Sequence, residues 1–194
     1  QETGLIKLLK KPKSSRFLKT LTDEEKNQLN PIIWFGGNQI TGDQIFLKSN
    51  VKTEELDSLI IRGNVFMSQK DSLYSDRFNQ IKGEKLDGFF SEGKLDNVYV
   101  EKNSTLLYYM YSDDAELIGL NKTLASSILI KFLENEISEV SFYRTPDGNV
   151  LSENKILTNE MKLPGFIWRE SERPNKISDL FSESDKELEI VEIE

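Results

Sequence analysis

The chain has 194 residues, 37% of them hydrophobic and 30% charged, and its formal net charge is -8. An acidic balance of this size argues against a nucleic-acid surface, because phosphate binding needs clustered Lys and Arg. The sequence contains no Cys and no His, which excludes disulfides and thiolate catalysis and removes the commonest general base and most zinc sites. We therefore expect no cofactor and no metal centre.

The two ends of the chain carry opposite charge. Residues 1–21 hold six cations against Glu2, a net of +5, and residues 182–194 hold six acids against Lys186, a net of -5. Solvated, flexible ends are the favoured interpretation, and a basic arm that contacts an anionic membrane or partner is the alternative. The sequence begins without Met or a signal peptide, so we expect a mature product or an excised segment of a longer chain.

The first predicted element is a short helix, because Thr22-Asp23-Glu24-Glu25 has the form of a capping box and Pro31 ends the helix that it opens. From residue 32 to about residue 142, short runs rich in Ile, Val, Leu, Phe and Tyr alternate with glycine-containing turns, which predicts strands. Thr145-Pro146-Asp147-Gly148 is a tight turn by composition. These signals divide the chain into a basic segment or linker over 1–31, a β domain over 32–170 and an acidic tail over 171–194.

One apolar spacing occurs three times along the β domain. Its copies are Leu56-x-x-Leu59-x-Ile61, Leu95-x-x-Val98-x-Val100 and Ile137-x-x-Val140-x-Phe142. Upstream of the first two copies, Ile40-Thr41-Gly42-Asp43 and Ile81-Lys82-Gly83-Glu84 lie 41 residues apart. A fixed period of this size is typical of stacked supersecondary units.

The spacing inside this triplet is uneven, three residues and then two. A strand places every second side chain on one face, so the first residue would point away from the others unless a bulge lies between; we predict such a bulge. The segment Thr105–Tyr111 is apolar on both faces, with Leu107 and Tyr109 on one face and Leu106 and Tyr108 on the other. Two packed sheets, or one curled sheet with a covered exterior, would both satisfy this pattern.

Four segments resemble the OstA-like proteins, the LptA-type periplasmic family of lipopolysaccharide transport. They are Gln39–Ile45, Glu55–Phe66, Asp76–Gly83 and Pro164–Pro174, and the likeness covers about residues 32–181. The resemblance implies an open, V-shaped β-jellyroll of stacked antiparallel strand repeats, which cradles acyl chains between its sheets and is not an enzyme. The basic N-terminal segment and the acidic tail depart from the short bridge protein and are consistent with the C-terminal portion of a larger member.

An acyl-chain carrier needs a continuous apolar trough, since each buried methylene contributes about 0.8 kcal/mol. Ordinary packing in a filled β core is the competing interpretation for every candidate. The predicted lipid-binding residues are Ile45, Leu47, Leu59, Ile61, Phe66, Leu86, Val98, Val100, Leu107, Tyr109, Ile128, Ile130, Val140 and Phe142.

We expect a non-enzymatic periplasmic protein, associated with the outer membrane, that binds the lipid A acyl chains of lipopolysaccharide or lipooligosaccharide. Its expected partners are other lipopolysaccharide-transport proteins, the outer-membrane translocon and further copies of itself stacked head to tail. Unpaired sheet edges would mediate this stacking, and the candidate edges are Ile32–Phe35 and Glu136–Tyr143. The alternative is a filled β-repeat module that joins an outer-membrane complex without binding lipid.

Two enzyme-like or metal-binding interpretations are disfavoured. Asp113, Asp114 and Glu116 lack the regular ligand spacing of a calcium loop and are typical of an exposed turn. A glycosidase pair needs two acids about 5–9 Å apart across a cleft, and 33 acids will always offer some pair that looks suitable.

Overall fold

The computed structural model of the chain describes residues 3–9, 21–53, 55–134 and 136–174. The strands are β1 (Thr3–Leu9), β2 (Ile32–Phe35), β3 (Asn38–Thr41), β4 (Gln44–Asn50), β5 (Leu56–Lys70), β6 (Phe78–Ser91), β7 (Lys94–Tyr111), β8 (Leu117–Leu133), β9 (Glu136–Tyr143) and β10 (Asp147–Leu151). The helix α1 spans Asp23–Gln28, and single 3₁₀ turns follow at Glu153–Lys155, Thr158–Glu160 and Glu170–Glu172. All strand pairs are antiparallel, so the predicted all-β, open jellyroll-like fold is confirmed.

The sheet folds back on itself into two half-sheets. Each of the long strands β5, β6, β7 and β8 has one part in the first half-sheet and the other part in the second. The first half-sheet contains β1, β4, β9 and residues 56–62, 85–91, 94–101 and 127–133 of the long strands. The second half-sheet contains β2, β3, β10 and residues 65–70, 78–82, 104–111 and 117–125. Inward side chains of both half-sheets meet in one apolar cluster. The curled-sheet alternative is therefore the one adopted.

The fold-back occurs at a corner that the sequence repeats three times. Pairs of residues with positive φ follow each apolar triplet at the same offset: Gly63-Asn64, Lys102-Asn103 and Arg144-Thr145. The first two pairs interrupt the ladder between their strand and its neighbours. Such left-handed residues are unusual outside glycine, and successive ones redirect the chain sharply. Asp43 supports the first corner, since its N–H donates to Gly63 O at 2.8 Å and its carboxylate accepts from Asn64 Nδ2 at 2.7 Å.

A close approach at the corner explains the two matching glycines upstream of the triplets. A Cβ on Gly42 would overlap Cγ2 of Ile61, and a Cβ on Gly83 would lie 2.5 Å from Cγ1 of Val100. Each glycine thus packs against the last apolar residue of a triplet, where a larger side chain has no room.

The predicted bulge is present in all three triplets. In β5, the register with β4 shifts by one residue between Leu56 and Leu59. In β7, the register with β6 shifts between Leu95 and Asn97. In β9, the register with β8 shifts between Ile137 and Glu139. The extra residue brings Leu95 and Ile137 onto the same face as the later members of their triplets, within the apolar cluster.

A C-terminal strap, residues 153–173, covers the outer face of the second half-sheet. Phe66, Leu107, Tyr109 and Leu120 on that face form a separate cluster with Leu163 of the strap. Further strap residues, among them Ile156, Met161 and Phe166, pack against this cluster.

Two buried glutamines fix the strap by pairing with its backbone. Gln80 Nε2 donates to Met161 O at 2.9 Å, and its Oε1 accepts from Leu163 N–H at 2.8 Å. Gln39, 41 positions earlier, makes the same two bonds to Ile167 O at 2.7 Å and to Arg169 N–H at 2.6 Å. Each side-chain amide therefore acts as one rung of a β ladder.

The terminal predictions have mixed outcomes. The helix is confirmed, since Thr22 and Glu25 form a complete capping box at its start. The segment 1–31 nevertheless includes β1, which pairs with β4 and belongs to the sheet. In the predicted tail 171–194, residues from 175 onward lie outside the described residues, so the boundary at 171 and the flexibility of the tail stay predictions.

Candidate functional site

The space between the half-sheets holds most of the predicted lipid-binding residues. Eight of the fourteen are buried members of the main apolar cluster, and Leu47, Val140 and Phe142 pack against it partly buried. The eight are Ile45, Leu59, Ile61, Leu86, Val98, Val100, Ile128 and Ile130. Sequence patterning therefore located the inner face of the first half-sheet correctly.

The remaining three predicted residues do not face this space. Phe66, Leu107 and Tyr109 lie on the outer face of the second half-sheet, beneath the strap, so their assignment to a single inner line was wrong. The inward residues at these places are their neighbours, such as Met67, Leu106 and Tyr108.

A signal for the correct face was present in the sequence. At the corners of β5 and β7, two residues lie outside the ladder. Because two is one full period of a strand, the alternation of inward side chains continues unchanged from Ile61 to Val65 and from Val100 to Leu106. Counting in twos from the triplet would have selected the inward side chains.

Most of the interior is filled by the protein's own side chains. The eight buried predicted residues are each no more than 1% exposed. Between Met67, Ile81, Leu106 and Ile130 only about 10 Å³ of free volume remains, about the minimum that a single water requires. At the β2 end, the rings of Phe35 and Phe90 meet across the half-sheets with centroids 4.8 Å apart. This part of the molecule is a packed core.

The interior opens at the β9 end, and we call this opening the edge cleft. Its volume is about 200 Å³. The second half-sheet contributes Leu106, Tyr108, Met110 and Asn121, and β9 contributes Ile137, Val140 and Phe142. All of these side chains except Leu106 are half-buried. Of the predicted residues, only Val140 and Phe142 line it, whereas Leu106, Tyr108, Met110 and Ile137 were missed.

The polar groups of the edge cleft lie at its rim. Burial raises the pKa of Tyr108, and the nearby charges of Glu136 and Asp71 raise it further, so the phenol stays neutral. On the outer side of β9, Lys131 Nζ lies 2.9 Å from Glu139 Oε2 in an exposed pair. Ser138 and Glu139 also line the cleft, and both are exposed. The half-buried part of the lining is therefore apolar apart from a neutral hydroxyl and the amide of Asn121, which suits hydrocarbon.

Both predicted edge strands are edges. Among the described residues, Ile32–Phe35 forms β2, which pairs only with β3, and Glu136–Tyr143 forms β9, which pairs only with β8. The edge cleft lies directly beside β9, so a strand added there would extend the wall of the cleft.

The acidic turn offers no site in the structure. Asp113, Asp114 and Glu116 are exposed, and within the described ranges no group of three acidic side chains is placed to hold a metal ion. Among the residues that the structure describes, no helix has the length and apolarity needed to cross a membrane.

Comparison with known proteins adds no relative: no family model, no curated protein and no solved structure matches the chain.

Proposed function

We propose that this protein is a non-enzymatic carrier that holds the acyl chains of a glycolipid, of the lipopolysaccharide or lipooligosaccharide class, in the edge cleft. The proposal places it in the periplasm, as part of a bridge to the outer membrane. The observation that carries it is an apolar opening between the half-sheets, next to β9, an edge strand that is paired on one side. The sequence resemblance to OstA-like proteins supports the choice of glycolipid.

The size of the cleft defines what one molecule does. About 200 Å³ is smaller than the roughly 300–1,000 Å³ of a typical small-molecule pocket, so one chain accommodates a short stretch of hydrocarbon and not several whole acyl chains. A continuous trough then requires a second jellyroll against β9, whose inner face continues the wall of Val140 and Phe142. Stacking and lipid binding are thus one function in this proposal.

The second candidate is a filled β-repeat module that docks onto a membrane complex without lipid. The nearly complete filling around Met67 and Ile130, with about 10 Å³ left free, favours it. The two candidates differ in a single respect, which is whether hydrocarbon enters between Tyr108 and Phe142.

Site-specific photo-crosslinking distinguishes them. A photoreactive phenylalanine analogue replaces Phe142 or Tyr108 in the cleft, and the matched control replaces Tyr143, which is exposed and adjacent in sequence. After incubation with radiolabelled lipopolysaccharide and irradiation, we expect labelling at positions 142 and 108 and none at 143. Equal labelling at positions 142 and 143 would reject the cleft as the binding site. The filled module would be established if no position is labelled while the protein still co-purifies with a partner protein through β9.

A further inference from the structure

The outer faces of the two half-sheets differ in what lies on them. The strap covers that of the second half-sheet. No described segment covers the corresponding face of the first half-sheet. The register aligns Lys7, Phe46, Ile60, Asp87 and Tyr99 as direct cross-strand neighbours across it. A sheet face with this much apolar surface is normally covered.

Apolar side chains form the middle of this open face. Phe46 and Ile60 are half-buried, and Phe89 is 48% exposed on the same face of β6. Tyr99 continues the row on β7.

The charges around this apolar row are mainly positive. Outward positions of β1, β4, β5, β6 and the first part of β7 carry Lys7, Lys48, Arg62 and Lys85 against Asp87 and Glu101, four cations minus two anions or +2, in a chain of net charge -8. We call the outward side of these strands the basic face.

Not all of these charges are available to a partner. Arg62 is paired with Asp87 at 2.7 Å, and Lys7 lies 5.3 Å from the ring centroid of Phe46. Lys48 and Lys85 form no ion pair within the described residues, although Glu101 lies across from Lys85 on β7. These two lysines are therefore the cations most available to an external anion.

The sequence extends the positive charge from the same edge. β1 ends at Leu9, which pairs with Gln44 at the border of the basic face. The chain then continues with five cations in eleven residues, Lys10, Lys11, Lys13, Arg16 and Lys19. The most basic segment of the chain is thus joined to the most basic face of the fold.

We propose that the basic face docks on an anionic lipid bilayer. A surface that combines lysine heads with partly exposed aromatic side chains matches the chemistry of the membrane interface, where cations meet lipid phosphates and aromatic rings lie at headgroup level. An acidic protein would instead be expected to require cations held in a fixed arrangement, and no ion pair within the described residues fixes Lys48 or Lys85. The proposal is independent of whether the edge cleft binds hydrocarbon.

The test uses the full chain and co-sedimentation with phosphatidylcholine vesicles, with or without phosphatidylglycerol. We expect binding only to vesicles that contain the anionic lipid. Each lysine near such a surface contributes about a fivefold factor in partitioning, so Lys48→Gln with Lys85→Gln should weaken binding roughly 25-fold. The matched control, Lys155→Gln with Lys162→Gln, makes the same charge change on the exposed strap residues and should leave binding within about twofold.

Two further variants keep the outcome specific. Phe89→Ser should weaken vesicle binding at constant net charge, and Val150→Ser, a matched change at an equally exposed apolar residue of β10, should leave it unchanged. Absence of binding to phosphatidylglycerol vesicles, or an equal loss in the Lys155/Lys162 control pair, would overturn the proposal. Circular dichroism of each variant verifies that the sheet is intact.

Discussion

The buried amide of Gln80 provides the sharpest test of how the strap is held. Its side chain is 1% exposed and supplies both a donor and an acceptor to the strap. Gln80→Met keeps the approximate shape and removes both hydrogen bonds to the strap, together with a weaker one from Nε2 to Phe78 O at 3.2 Å. Leu163 N–H then loses its partner in a buried position, and Met161 C=O loses one in a partly buried position.

The expected cost follows from these two groups. An unsatisfied buried polar group costs about 1–3 kcal/mol, with the lower end applying to the partly buried carbonyl, which gives a total of about 2–4 kcal/mol. This is a large share of a typical stability of about 5–15 kcal/mol. The cost of Gln80→Met cannot exceed the free energy needed to release the strap, since water would then satisfy both groups.

Urea unfolding measures the global loss, and hydrogen exchange at Leu163 N–H and Arg169 N–H reports local release of the strap. The control is Gln28→Met, because Gln28 is exposed and its bond to Glu172 lies at the surface; we expect a change within about 0.5 kcal/mol. Gln39→Met combined with Gln80→Met should cost less than the sum of the single changes, because either change already loosens the same strap. If Gln80→Met changed stability by less than about 0.5 kcal/mol and left both amides protected, the ladder-like role of the amide would be refuted.

Two further predictions concern the corner and the strap. Gly42→Ala should destabilise the protein by about 1–3 kcal/mol in urea unfolding, because the added Cβ overlaps Ile61. The control Gly37→Ala should be nearly neutral, because no atom lies within 4 Å of the added Cβ. Equal unfolding midpoints for the two variants would contradict the close packing at the corner. Hydrogen bonds from Arg169 hold the pKa of Glu172 below its ordinary value of 4.5, so its contribution to stability is complete above that value and is lost as pH falls through the lower folded-state pKa. Acid should therefore release the strap, monitored by tryptophan fluorescence, and Glu172→Gln should lack this acid transition; an unchanged transition in the variant would assign it to other groups.

The sequence by itself determined the repeat and much of the local geometry. The uneven apolar triplets indicated a bulge in each copy, and the structure places one in all three. The 41-residue period identified Gly42 and Gly83 as equivalent positions, and in the structure both lie at the corner, where a close approach requires the smallest residue. These features depend on neighbours within a few residues, which is the range over which sequence patterns carry information.

Only the tertiary structure decided that the outer face of the second half-sheet would also be buried. Counting in twos from the triplet separates Leu106 from Leu107, but it does not say that the strap covers the face that carries Leu107. The extent of filling was also undetermined, since the same side chains suit a packed core and an open trough. Burial of Leu107 depends on distant residues such as Leu163 of the strap, 56 positions later in the sequence, and no local pattern encodes where such a segment packs.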